Sequence, residues 1–169
     1  GKFQKKLARL CFEELGDAFH VFVLGQSSYP FQIAKRLGIK LVFYGENGDV
    51  DYGGDPEYLD KPCKPSSEVV KHTTSKGTPF RELLDFGIKN KNYLSRDDFT
   101  ESDLIFYEPP SSEELTKAGI QGMHFYSYYH KWSPQENYYY CAEHTGFKPN
   151  PERTEGTYSK YASLDDKTD

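Results

Sequence analysis

Tryptophan and methionine occur once each in this chain of 169 residues, and cysteine only three times. Cys11, Cys63 and Cys141 are odd in number, far apart and never arranged as C-x-x-C. That fits a reducing compartment better than a disulfide framework, with the thiols read as buried or idle. No apolar run approaches the roughly 20 residues that a bilayer crossing requires, and no charged-then-apolar leader opens the chain. A cytoplasmic location without membrane insertion is expected. The net charge is -5 and the signs are interspersed, which argues against a phosphate-tracking surface, so nucleic acid is not an expected partner. Internal repeats, low-complexity segments, G-x-S-x-G and any local cysteine-nucleophile signature are also lacking.

What is abundant is aromatic: 14 Tyr and 12 Phe bring the aromatic share to 16%. Tyrosine joins packing area to a hydroxyl and so serves a polar cleft as well as a core. The length fits one compact unit with enough core to fold without staples. From Lys2 to Leu15, the apolar residues Phe3, Leu7, Leu10, Cys11 and Leu15 recur at helical spacing, and Gly16 supplies a C-terminal cap. "HVFVLG" (His20 to Gly25) and "IKLVFYG" (Ile39 to Gly45) read as buried strands. Pro30, the stripe Phe31, Ile33, Ala34 and Leu37, and Gly38 mark a helix between them. This β-α-β reading predicts parallel strands, with ligands bound outside their carboxyl ends. "GQSSYP" and "GENGDVDYGG" are the loops at that edge.

Residues 55–107 read as a Pro-rich loop, a short helix over Thr78–Ile88 and a polar stretch leading into a short strand. "SSEELTKAG" is a capped helix ending at Gly119, and "IQGMHFYSYYHKW" a buried strand or extended segment. In "SPQENYYYCAEHTGF", Ser133 as N-cap, Pro134 in the first helical position, Glu136 closing a capping box and Gly146 past the end define a helix. The polar remainder is either a loop docked on a site or a hydrated tail.

Four carboxylates and four glycines follow the second strand in "LVFYGENGDVDYGGD". Asp49, Asp51, Gly54 and Asp60 match positions 1, 3, 6 and 12 of a calcium loop. Pro56, the preceding strand and the short final Asp argue against calcium. The nucleotide alternative asks less: Gly-rich turns admit a ligand to the backbone, and Glu46 and Asn47 can hold Mg²⁺ or a ribose hydroxyl. A solvated acidic loop is the competing reading. His124, His130, Cys141 and His144 match no common zinc spacing, and the aromatics between them read better as core. The same aromatic run also raises a sugar-binding module.

"LVFYGENGDVDYGG" (Leu41 to Gly54) and the long stretch from His124 to Asp169 resemble the ATP-using subunit of the N-acetyl sugar amidotransferase family, which serves lipopolysaccharide O-antigen and related pseudaminic-type sugar biosynthesis; "GDAFHVFVLGQSSYP" matches more loosely. The resemblance implies an α/β fold of the adenine nucleotide alpha hydrolase (PP-loop ATPase) type. Its parallel sheet would be partial here, with a helical and loop-rich C-terminal region. Expected boundaries are 1–54 for the nucleotide-binding part, 55–110 for an irregular helical insertion and 111–169 for a region that closes the site.

The implied reaction converts an acetamido group on a UDP-linked N-acetylated sugar into an acetamidino group. ATP adenylates the poor amide leaving oxygen, Mg²⁺ offsets phosphate charge, and ammonia comes from a glutaminase subunit. Carried onto this chain, the resemblance makes Glu46, Asn47, Lys160 and Asp165 catalytic candidates, with Glu46 as the Mg²⁺ ligand. Gln26, Tyr29, Gly45, Lys131, Glu143, Arg153, Glu155 and Asp166 become nucleotide- or sugar-binding candidates. The superfamily's S-G-G-x-D-S pyrophosphate loop is missing, and "YGGDP" does not replace it. That loop is expected upstream of Gly1, so the 169-residue chain alone is expected to be inactive and to bind ATP weakly. A non-catalytic domain that docks a glutaminase is the rival from another class.

Overall fold

The computed structural model describes residues 1–51, 55–72, 79–90, 93–153, 155–156 and 159–161, without the side chains of residues 51 and 70–72. Its contacts divide the chain into Gly1–Tyr129 and His130–Asp169.

In the first unit, α1 (Lys2–Leu15) buries Leu7, Leu10 and Cys11 on one face. It ends where the spacing predicts, with Gly16 left-handed at φ 70° and its N–H bonded to the Phe12 carbonyl.

His20–Gly25 is not a strand but the opening of a long helix, α2 (His20–Leu37), so the expected β-α-β unit does not form. A short apolar run does not separate a strand from a buried helix, and here the helix prevails. Asp17 accepts the Phe19 N–H at 2.9 Å just before the first turn. Pro30 lies inside the helix rather than at its start. Proline cannot donate to the carbonyl four residues back, and that carbonyl, of Gln26, instead accepts the Tyr44 hydroxyl at 3.0 Å. The helix therefore runs through its proline because a distant tyrosine replaces the missing donor.

β1 (Val42–Tyr44) falls within the second predicted strand. A helical turn, α3 (Gly48–Asp51), a 3₁₀ turn at Pro56–Tyr58, β2 (Cys63–Pro65) and α4 (Ser66–His72) follow. α5 (Phe80–Lys89) matches the helix predicted over Thr78–Ile88, of which Thr78 lies outside the described residues. The short strand predicted before Glu108 is absent among the described residues; α6 (Glu101–Leu104) and a turn stand there. α7 (Ser112–Lys117) forms the expected capping box between Ser111 and Glu114. β3 (Gly122–Phe125) and the turn α8 (Tyr126–Tyr129) complete this unit.

The fold is mixed α/β with a small three-stranded sheet in the order β1-β3-β2. β1 runs parallel to β3, pairing Val42 with Met123 and Tyr44 with Phe125. β2 is antiparallel to β3 and pairs Lys64 with Met123. At Gly122 a Cβ would run into the Lys64 carbonyl, so only glycine lets β2 approach this closely.

α2 joins two apolar clusters. Its first half supplies Val21 and Leu24 to a cluster containing Leu7, Leu10, Leu83, Leu84 and Leu104. Its second half supplies Phe31 and Ala34 to one built on Val42, Val69, Leu115, Met123 and Phe125. Between them the buried Ser28 donates its hydroxyl to the Tyr107 carbonyl at 3.2 Å, which satisfies a polar group at the seam.

In the second unit, α9 (Pro134–His144) has Pro134 in its first turn, as predicted, with Gly146 at φ 73° beyond its end. The Ser133 side chain makes no cap bond, so the capping box expected with Glu136 is not formed. Tyr161 stacks on Tyr138 at 4.3 Å and donates its hydroxyl to Gln135 at 2.6 Å, which brings the described end of the chain back onto α9.

Candidate functional site

Parallel pairing of β1 with β3 puts the carboxyl ends of both strands at one edge, where Gly45-Glu46-Asn47 leaves the sheet beside Tyr126. The predicted location outside parallel strand ends is kept, although the partner strand is β3 and not His20–Gly25. Gly45 and Glu46 are exposed, and a Cβ at Gly45 would meet nothing within 4 Å.

Asn47 and Asp49 behave differently, being 5% and 3% exposed. The Asn47 side-chain oxygen Oδ1 accepts the Asp49 N–H at 3.1 Å, and its Nδ2 donates to the Tyr58 carbonyl at 3.2 Å. Asp49 accepts the Asp55 N–H at 2.9 Å and receives the Lys64 ammonium on both oxygens, at 3.0 and 2.8 Å. Lys64 Nζ also lies 4.9 Å from the centre of the Tyr58 ring. These contacts tie Asn47 and Asp49 to Asp55 and Tyr58, and Asp49 to β2. Asp49, the first residue of the calcium-loop match, is thus engaged by a lysine. The Asp51 side chain, Gly53 and Gly54 lie outside the described residues. Among the described residues no three His, Cys, Asp or Glu side chains gather as metal ligands, including the histidines weighed for zinc.

Gln26 and Tyr29 lie on α2 rather than on a loop. Both line a cleft of about 400 Å³ together with Phe3, Phe22, Gly25 and Phe106. Tyr29 and Phe106 form one aromatic wall, their ring centroids 4.7 Å apart. Gly25 faces the Phe106 carbonyl, where a Cβ would sit in ordinary contact at 3.5 Å. The Tyr44 hydroxyl connects cleft and strand through the Gln26 carbonyl. Its burial raises the phenol pKa, which keeps the donor protonated.

Sequence reasoning missed Lys64, Tyr58 and Tyr44. Lys64 stands in "KPCKPSSE", where its neighbours signal only a turn, and its carboxylate partner is remote in sequence. A lysine buried to 5% exposure is nevertheless one of the clearest polar features of the fold.

The remaining candidates belong to the second unit. Lys131, Glu143, Arg153 and Glu155 are exposed. Lys160 is also exposed, but its ammonium donates to the Pro151 carbonyl at 2.9 Å and its own carbonyl accepts the Asn150 N–H at 2.8 Å. Lys160 thereby closes a loop. Asp165 and Asp166 lie outside the described residues.

No family model matches the chain, and no curated protein matches it significantly.

Proposed function

We propose that the chain is part of an ATP-dependent amidotransferase that converts the acetamido group of a UDP-linked N-acetylated sugar into an acetamidino group, within a fold of the adenine nucleotide alpha hydrolase type. The observation that carries this reading is the position of Gly45-Glu46-Asn47. The stretch most similar to the family's nucleotide loop leaves a strand at the carboxyl edge of a parallel pair, where α/β proteins bind ligands.

Glu46 suits Mg²⁺, which takes one or two protein carboxylates and completes its shell with phosphates and water. The metal would supply charge compensation on the phosphates. Asn47 shapes the turn rather than touching the ligand, because both ends of its amide are bonded within the protein. Gln26 and Tyr29 supply an aromatic-walled cleft on α2, joined to β1 through the bond from Tyr44 to the Gln26 carbonyl.

The test uses the gene product that carries this chain, with Mg·ATP, an ammonium salt and UDP-linked N-acetylated sugars, read by mass spectrometry of sugar and nucleotide. AMP with exchange of one sugar oxygen for NH is expected, and Glu46→Gln should lower the rate about 100-fold or more while leaving the fold intact. Neither product from a folded protein across several sugars would overturn the reading.

One observation favours the second reading, a docking domain for a glutaminase. The second unit buries none of its described side chains and displays Trp132, Tyr139 and Tyr140. Aromatic surface of that kind is typical of binding faces. Under this reading Trp132→Ala would abolish complex formation, and Glu46→Gln would change nothing.

A further inference from the structure

We infer that Lys64 is a positioning residue for the nucleotide turn: its buried ammonium, by gripping Asp49, fixes where Gly45 and Glu46 stand at the carboxyl edge of β1. This rests on the proposed nucleotide reading of that edge.

Four contacts among the described residues form a polar network. Lys64 holds both Asp49 oxygens, Asp49 holds the Asp55 N–H, Asn47 holds the Asp49 N–H, and the Asn47 amide holds the Tyr58 carbonyl. The anchor is rigid, because β2 is paired residue for residue with the central strand and Lys64 stands opposite Met123. The side chains of Lys64 and Asp49 are 7% and 4% exposed, so neither reaches a ligand. They act through Glu46, the exposed carboxylate of the turn.

Stability alone is a poor reason for such a pair. Desolvating two charges offsets most of their attraction, and apolar replacements of similar volume are often as stable. What a buried pair supplies is one allowed arrangement. A carboxylate held by an ammonium, a backbone N–H and a neighbouring strand cannot slide, and neither can the backbone that carries it.

The experiment compares wild type, Lys64→Met, Lys64→Arg and Asp49→Asn in the full gene product. Amide hydrogen exchange is followed with and without Mg·ATP, and Mg·ATP affinity by calorimetry. In Lys64→Met, exchange over residues 45–51 and 55–60 should quicken at least 10-fold, with α1 and β3 unchanged. Affinity should fall at least 10-fold, and Lys64→Arg should recover most of it. Unchanged exchange in those residues overturns the inference, and so does a loosened turn with undiminished affinity. Should Lys64→Met loosen the whole first unit, Asp49→Asn decides. Loosening confined to the turn supports positioning, and unit-wide loosening makes the pair part of the core and overturns it. A wild type that does not bind Mg·ATP defeats the proposed function, and the exchange of the unliganded proteins still decides whether Lys64 holds the turn.

Discussion

Gly1–Tyr129 hides Phe31, Leu104 and Phe125 from water, whereas no described side chain of His130–Asp169 is buried, and Trp132, Tyr139 and Tyr140 are between 60% and 70% exposed. The first unit is held by two apolar clusters and a buried ion pair, the second by a tyrosine stack and hydrogen bonds at its surface. Candidate residues inherit that difference. Gly45 and Glu46 stand on a turn fixed from beneath. Lys131, Glu143, Arg153 and Glu155 stand in a unit that buries no side chain among its described residues.

The sharpest break in this comparison would come from truncating one aromatic in each unit. Phe125→Ala should cost about 3–5 kcal/mol of unfolding free energy through the cavity it leaves, and Tyr139→Ala should stay within about 0.5 kcal/mol. Urea denaturation of the two variants reads the contrast directly, and equal losses would end it.

A finer version removes one hydroxyl from each. Tyr44→Phe leaves the Gln26 carbonyl without its donor at the proline inside α2, for a loss of about 1–2 kcal/mol. Tyr161→Phe removes an exposed bond and should cost under about 0.5 kcal/mol, visible only as faster exchange over residues 150–156.

The smallest effect is expected from acid. Asp98 is held below the usual carboxylate range first by the Lys6 ammonium, Asp103 by the Thr100 N–H, and Glu114 by the Lys35 ammonium. Each has a lower pKa folded than unfolded, so the unfolded chain binds more protons, and stability rises with pH through this window. The contribution is complete above about pH 5 and is lost as pH falls below about 4 toward the folded values. Asp98→Asn should flatten that slope in denaturation measured across the window. A slope as steep as wild type would show that the Lys6–Asp98 pair does not set the first unit's acid limit.

Helices whose signals are local were legible. α1, α5, α7 and α9 carry their apolar spacing or their terminal residues within the segment itself. α2 was legible only in its second half, where the Phe31–Leu37 stripe and Gly38 mark it; its first third has strand-like composition, and its proline is compensated by Tyr44, which no local window contains. Ser133 shows how far a local signal reaches. Ser111 and Thr100 cap with ψ at 158° and 165°, but Ser133 sits at ψ 97° and its hydroxyl does not bond the helix end. For the site, the position of Gly45 and Glu46 after a strand could be read from the sequence. The Lys64–Asp49 contact that holds them could not, since each residue alone reads as an ordinary turn charge.

The strand order has a consequence for synthesis. β3 is central in the sheet yet last of the three in the chain. The edges are therefore made before the middle, and at about 5–20 residues per second a ribosome needs roughly 3–12 s to go from Pro65 to Phe125. During that interval β1 and β2 have no partner. α1 and the start of α2 can already pack together, but the backbones of β1 and β2 must wait for a strand not yet translated. Chaperone demand for this chain should peak in those seconds and fall once Phe125 has emerged.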